Sequence, residues 1–576
     1  MSGGLYRSAN AGHGGDPPAD GAVLITTSGT AVAPAGVEPA PGESSAAANS
    51  AIMAIGSLVS RGTGFLRTLI LAAALGGGAV GDAYTTAQLV PSQVYELLLG
   101  GILSSILIPV LVRRRKADPD RGEAYAQRLV TLAVVALGAA ALLATLSASV
   151  LTGLYTSDKS GADFENLVTK LSYLMLPMIF FIGLSGILNA VLNTRGHFAT
   201  PMFTPILNNI VVIGTGGLYM AIYGAEPIRP GQMTVGQITL IGGGTLLGVL
   251  VQAAGLLPAL RKVGFRWRWR FDFRALGLRE LGPIAGWALC YVVAVQIGQF
   301  IAFKLLNVAS GEGAAGPMIY NNVFLLMMMA HGIIAVSIIT ALAPRMSAAA
   351  ADHRHKDMAA DLARGTRMIT AVLTPVAICY AVLAAPISVM LFQRGAYTAA
   401  NATDTALVLV VAAVALVPFS ISQLYTVGFN ARQETKTSAL VNIPVVMLRI
   451  TLQLGIYALF TAAFAAPGLM FANAVSYVAA ALTSAILLQR RIGGIGFGAI
   501  LASFVKVGLA AVGATVVGLV LVYLMPGRWT PDHGQAILQL VVGGLAIVGT
   551  YVGIALGLKV HEITEVFGMV RRKLGR

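Results

Sequence analysis

Charge is scarce in this chain. Only 11% of its 576 residues are Asp, Glu, Lys or Arg, against about 25% in soluble domains. With 56% hydrophobic residues, that scarcity excludes an ordinary soluble protein and identifies a polytopic membrane protein. Cysteine is nearly absent. Cys290 and Cys379 are the two; both lie in apolar runs without partners at metal-ligand spacing. No disulfide or zinc site follows, and both read as small core residues. No P-loop, G-x-S-x-G motif or metal-ligand cluster occurs, so the chain has no signature of ATP hydrolysis or of another enzymatic chemistry. Within the apolar runs no pair of acids forms a convincing sodium or proton site. Acids are the minority sign overall, 24 against 39 Lys and Arg, a balance of +15. In a soluble protein that excess would suggest nucleic acid; here it suggests basic cytoplasmic loops and no nucleic-acid partner.

What the chain has in abundance is long apolar sequence. Fourteen stretches between residues 50 and 558 are long enough to cross about 30 Å of hydrocarbon, which takes roughly 20 helical residues. The second runs over 80–112. The fold class is therefore all-α, with fourteen transmembrane helices. Alternate loops divide the basic residues unevenly. One set and the C-terminal tail hold 28 Lys and Arg, while the other set holds only Lys159, Arg229, Arg394 and Arg528. A miscounted helix would scramble this alternation. The asymmetry supports the count and places both termini in the cytoplasm. In Phe265–Phe273, FRWRWRFDF, basic and aromatic residues alternate. Single-stranded nucleic acid could bind such a run, but on a membrane loop it reads as an interfacial helix or ribbon touching anionic lipid.

A weak internal repeat organises the spans. LNTRGHFAT from Leu192 resembles FNARQETKT from Phe429, an offset of 237, and Pro109 matches Pro344 at offset 235. Two six-helix lobes in the same orientation are implied, with an extra pair after them. The expected divisions are a disordered cytoplasmic tail over 1–48, an N-lobe over 49–262, a basic-aromatic linker over 263–279, a C-lobe over 280–490, the last helix pair over 491–560, and a basic cytoplasmic tail over 561–576. The first tail is rich in Gly, Ala, Pro and Ser and has no apolar core segment, so it is not a signal peptide.

The charges inside the first two spans stand out: Arg61, Arg67, Asp82 and Glu96. Each Arg or Asp at mid-bilayer costs roughly 2.5–3.5 kcal/mol on insertion scales. Arg61 and Arg67 are six residues apart, which on a helix is about 120° of rotation and about 9 Å of rise. Both could face one broad cavity and meet an anionic substrate. Guanidinium suits phosphate because it stays charged and forks two hydrogen bonds. The bland alternative is that Arg61 snorkels to the interface and Arg67 pairs with Asp82. Gly62 and Gly64 remove bulk beside the arginines and are gating candidates. Asp82 either caps its own helix or neutralises an arginine in the empty carrier. Glu96 faces the cavity or pairs with a base. Pro91 is a candidate kink and gate. Arg449 lies mid-span, where snorkelling is hard, and is either a further cavity cation or paired to a group the sequence does not reveal. Lys304 reads as snorkelling, His331 as a bundle histidine with a minor option of proton coupling, and Met327–Met329 as packing.

These residues carry a family resemblance. The run S-R-x-x-G-F-x-R at Ser60–Arg67, G-D-A at Gly81–Ala83, I-P-V-L at Ile108–Leu111 and the segment Leu192 to Asn209 resemble the MurJ/MviN family of lipid II flippases. That family belongs to the multidrug/oligosaccharidyl-lipid/polysaccharide exporter superfamily. The likeness covers about residues 50 to 560, and the Ala-, Gly- and Arg-heavy composition suggests a high-GC, Gram-positive-like branch. It implies a transporter of the bacterial plasma membrane that moves lipid II, a polyprenyl-diphosphate-linked peptidoglycan precursor, by alternating access between two lobes. The lipid tail would stay in the bilayer, along a groove formed with helices 13 and 14. The family's cavity arginines map to Arg61 and Arg67, and its aspartate to Asp82.

The chain also departs from the family pattern. A further arginine of the family falls at Tyr95, the acid of its E-G dipeptide falls at Gly100, and Tyr320–Leu325 lacks an arginine. Carboxylates proposed for a sodium site in some members are missing from spans seven and eleven. No cofactor is implied, and coupling to a monovalent cation or a proton is left open. Alternatives are a flippase for another polyprenyl-linked wall glycan, a cation-coupled multidrug antiporter of the same superfamily, and a non-transporting scaffold whose tails recruit cell-wall synthesis or division machinery.

Overall fold

Residues 43–97, 108–276, 278–432 and 434–565 are described in a computed structural model. Helix is the dominant element, and no strand occurs among the described residues. The N-terminal helices are α1 (Glu43–Leu75), α2 (Ala79–Leu97), α3 (Ile108–Ala117), α4 (Glu123–Leu146), α5 (Ala148–Tyr155), α6 (Ala162–Met175), α7 (Met178–Thr194), α8 (Ala199–Tyr223), α9 (Val235–Ala254) and α10 (Leu257–Lys262). The following helices are α11 (Leu278–Gly311), α12 (Pro317–Ala330), α13 (Val336–Ala351), α14 (His355–Val382), α15 (Ala384–Phe392), α16 (Ala399–Ala431), α17 (Thr435–Leu459) and α18 (Ala465–Ile492). The last are α19 (Phe497–Leu524), α20 (His533–Leu538) and α21 (Gly544–Gly557).

Twelve of these helices or continuous helix pairs are long and apolar enough to cross a bilayer. The pair α6 and α7, bent by 41°, makes a thirteenth span. Pro177 sits at that bend; it has no N–H to donate and its ring clashes with the preceding turn. The expected span 80–112 runs through residues 98–107, outside the described residues. Helix α1 begins at Glu43, inside the stretch expected to be a tail, where the Ala-rich sequence favours helix. Between α12 and α13 the helix widens into a π turn over His331–Ala335. Such turns break the regular backbone ladder and recur at functional positions.

The helices form two packed groups. In the first, α1 packs on α8, α8 on α9, α2 on α6 and α4 on α7. In the second, α16 packs on α18 and α14, while α17 packs on α18 and α11. The pair α19 and α21 lies against α14. Side chains such as Leu142, Leu146, Leu509 and Leu545 are exposed, as an apolar surface facing lipid should be. Cys290 is exposed as well, which corrects its reading as a core residue; in lipid an apolar run need not be buried in protein.

The arginine-rich loops gather at one end of the bundle. Arg115 donates to the Thr194 carbonyl, Arg195 pairs with Glu123 at 3.8 Å and donates to the Val263 carbonyl at 3.2 Å. In the second group Arg491 and Arg432 both meet Glu434, and Arg345 meets Asp361 at 2.9 Å. Residues Phe265–Asp272 form an extended ribbon against α4. Gln127 donates to the Arg266 carbonyl at 2.7 Å, Arg270 Nε donates to Gln127 at 2.8 Å, and Arg128 pairs with Asp272 at 2.6 Å. Trp267, Trp269 and Phe271 stack outward from it, with Trp269 and Phe271 within 6° of parallel.

Candidate functional site

The two helix groups are joined at the arginine-poor end. The turn after α1 needs glycine at Gly76, where φ is +77° and the Ala396 carbonyl crowds the position a Cβ would take. Ala396 N donates to the Ala73 carbonyl at 2.8 Å, and Gly77 N donates to Asn401 Oδ1 at 3.3 Å. Lys159 pairs with Glu312 at 3.0 Å; that hydrogen bond raises the Lys159 pKa above its ordinary value. Thr86 donates to Asn307 at 2.8 Å. Beneath these contacts lies a shared apolar seal that includes Leu71, Tyr84, Leu306, Met318, Phe392 and Tyr397.

Asp82 is the polar centre of this seal. Its side chain is fully buried. It stands in the first turn of α2, yet it caps a different helix. One carboxylate oxygen accepts from Met318 N at 2.7 Å, at the start of α12, and the other accepts from Ser310 Oγ at 2.5 Å. A carboxylate at a helix N-terminus satisfies orphan N–H groups and meets the positive end of the helix dipole. Gly316 makes room for it, since a Cβ there would strike the carboxylate. Neither alternative from the sequence describes this geometry. Asp82 neither caps its own helix through its side chain nor pairs with Arg67.

Arg61 reaches across to the second helix group. Its guanidinium packs over Gly332, in the π turn of the second group, where a Cβ would collide with it. Arg61 and Gly332 are each about 20 Å from the sealed end, counting 1.5 Å per helical residue. Gln296 Nε2 meets the Gln93 carbonyl at similar depth, 3.0 Å away. Beyond that depth, the hydrogen bonds among the described residues run within each group. Arg67 lies about 9 Å nearer the seal. Its Nε is buried without a hydrogen-bond partner, and its charge reaches Tyr84, whose hydroxyl meets Thr245 at 3.0 Å. Asn209 ties α8 to α1 by donating to Thr63 at 3.0 Å and to the Ser60 carbonyl at 3.2 Å.

Among the described residues none of Arg61, Arg67 and Arg449 belongs to an ion pair. Arg449 stands apart from the other two, among α11, α12, α17 and α18. A Cβ at Gly62 would meet nothing within 4 Å and one at Gly64 only Asn209, at 3.5 Å, so neither glycine is required by close packing. Pro91 is buried inside an uninterrupted α2. The side chains of Glu96 and Tyr95, and all of Gly100, lie outside the described residues. His331 is buried with Nδ1 2.9 Å from Ser420 Oγ. Ser310 and Gly332 were missed, because a serine or glycine within an apolar span also serves ordinary packing; for Gly316 the signal available was Gly316–Pro317 at a helix start.

A family model described as lipid II flippase MurJ matches residues 71–541. A Vibrio cholerae protein described as a probable lipid II flippase MurJ is 28% identical over 397 residues, covering 66% of this chain and 72% of its own. A Rhizobium tropici protein of the same description is 25% identical over 529 residues, covering 90% and 95%. The solved structure of a lipid II flippase MurJ in an inward closed conformation superposes with a TM-score of 0.69 at 18% identity, over 91% of this chain and all of that one. An inward-facing multidrug resistance MATE family transporter of the MOP superfamily gives 0.60 at 15% identity, over 76% and 95%. At those identities the two structures establish the fold.

Proposed function

Since the chain belongs to the lipid II flippase MurJ family, we propose that it carries lipid II from the inner to the outer leaflet of the bacterial plasma membrane by alternating access. It is a transporter and not an enzyme. The observation that carries the substrate reading is the pair Arg61 and Arg67, stacked along α1 without a carboxylate partner among the described residues. A diphosphate supplies the charge that this pair lacks, and two guanidiniums at different depths can pass it from one to the other.

With the arginine-rich end in the cytoplasm, both termini lie there and the conformation is sealed toward the outside. The head group then enters from the cytoplasm and meets Arg61 first. Its phosphates draw the guanidinium off Gly332, which loosens the deepest contact between the groups. Opening of the outer end requires Asp82 to release Ser310 and the start of α12, so Asp82 acts as a latch. Gly62, Gly64 and Pro91 give α1 and α2 latitude to move, and Glu96 is a candidate for the cavity wall. The unloaded carrier holds two uncompensated positive charges. A potential negative inside favours their return, by about 2.3 kcal/mol per charge that crosses 100 mV. This reading needs no sodium site, although proton or cation coupling elsewhere is compatible with it. The aromatic ribbon beside Arg266 and Arg268 suits the anionic headgroups of the inner leaflet.

The test is transport of labelled lipid II in proteoliposomes together with rescue of a strain depleted of its own lipid II flippase. Lipid II movement and rescue are expected. Movement of only another polyprenyl-linked glycan, without rescue, would reassign the substrate.

A further inference from the structure

Arg449 holds a positive charge inside the second helix group that no carboxylate among the described residues answers. On α17 it shares an inward face with Val446, Ile450 and Gln453, while Met447, Leu448 and Leu454 are exposed. It is ten residues from the end of α17 at Leu459, about 15 Å along the axis, too deep for easy snorkelling. Its Nε and Nη2 are buried without a hydrogen-bond partner. The guanidinium fits because position 298 on α11 is glycine, where a Cβ would come within 2.6 Å of Nη2.

The groups around it are polar and uncharged. Tyr477 on α18 and Tyr320 on α12 both lie within reach of the Arg449 charge. The Tyr320 hydroxyl accepts from Asn473 Nδ2 at 2.6 Å, and Gln453 Nε2 donates to Asn473 Oδ1 at 3.3 Å. This chain engages one acceptor of Asn473 and one of Tyr320, leaving the neutral Gln453 Oε1 as a buried unpartnered acceptor. Arginine cannot shed its proton. Arg449 is only partly exposed, and a guanidinium held among apolar side chains without a counter-charge is destabilising. The nearby groups able to help hold an opposite charge are the guanidinium N–H groups and two tyrosine hydroxyls, a donor set that selects an anion.

We propose that the polar cluster between α11, α12, α17 and α18 binds one small monovalent anion of the halide class, held by Arg449 with Tyr477 and Tyr320. The anion neutralises the guanidinium and ties four helices of the second group into one rigid unit. The cluster is separate from Arg61 and Arg67, so the inference does not depend on which lipid the carrier moves. A phosphate oxygen of the lipid substrate has related chemistry and is the other source of negative charge.

The experiment uses the full chain in detergent, with chloride replaced by gluconate at constant ionic strength. The melting temperature is expected to rise with chloride or bromide, and the rise to vanish in Arg449→Gln while persisting in Arg61→Gln. Gly298→Ala, which displaces the guanidinium, should move the halide midpoint upward at least threefold. Crystals grown with bromide should show anomalous density between Arg449 and Tyr477; this arm uses the unaltered protein and decides the matter even if Arg449→Gln fails to fold. A melting temperature indifferent to halide, or an equal halide response in Arg449→Gln, overturns the proposal. So does stabilisation through Arg449 by a short-chain polyprenyl diphosphate alone, which would place the residue on the lipid's path.

Discussion

Replacing Asp82 with Asn tests the latch by removing one charge and almost no volume. The carboxylate accepts from Met318 N at 2.7 Å and from Ser310 Oγ at 2.5 Å in a fully buried setting. A hydrogen bond to a charged group contributes about 1.5–3 kcal/mol, and the helix-terminus interaction adds about 0.3–1. Asn retains an acceptor for Met318 N, so the sealed state should lose about 2–3 kcal/mol relative to the open one. At 1.4 kcal/mol per tenfold, that moves the sealed-to-open ratio by roughly 30- to 150-fold. Spin labels at the exposed positions Gly78 and Ala400 report the separation directly by pulsed electron resonance. A long-distance population should appear or grow in Asp82→Asn. An unchanged distance distribution would refute the argument that this carboxylate holds the outer end shut.

Other substitutions probe the same geometry. Gly316→Ala places a methyl against the Asp82 carboxylate and should open the outer end as Asp82→Asn does, read by the same label pair. Gly332→Ala displaces the Arg61 guanidinium and should lower lipid II transport in proteoliposomes at least tenfold without a comparable fall in melting temperature. Arg367→Ala removes the partner of Glu562, 2.6 Å away and largely buried. It should lower stability by about 1–3 kcal/mol, discounted from the fully buried case because Arg367 is partly exposed; a charge-swapped double variant should recover part of the loss. The Arg128 hydrogen bond holds the Asp272 pKa below its ordinary value of 3.8. A depressed carboxylate contributes stability above its unfolded pKa and loses it as pH falls through the folded one. The ribbon should therefore stay docked through pH 3.8 and detach only below it, which the fluorescence of Trp267 and Trp269 would follow.

The sequence carried the membrane class, most of the helices and the shared end of the arginine-rich loops, because apolar length and Lys/Arg alternation are local signals. Arg61, Arg67, Asp82 and Arg449 were legible as misplaced charges for the same reason. Their partners were not. Asp82 looked like a cap for its own helix, since proximity in the chain is all a sequence offers; Met318 lies 236 residues away. Gly316 and Gly332 act through the side chain they lack, beside residues from a distant helix. The FRWRWRFDF run stood out by its alternation, but its anchor on Gln127 and Thr131 of α4 is a tertiary contact.

The central claim is that Arg61 and Arg67 bind the diphosphate of the transported lipid. Native mass spectrometry of the purified protein with lipid II, comparing Arg61→Gln and Arg67→Gln with the unaltered chain, measures it most directly. A loss of affinity of at least tenfold in each variant is the predicted result. Equal affinity in all three proteins would contradict the account.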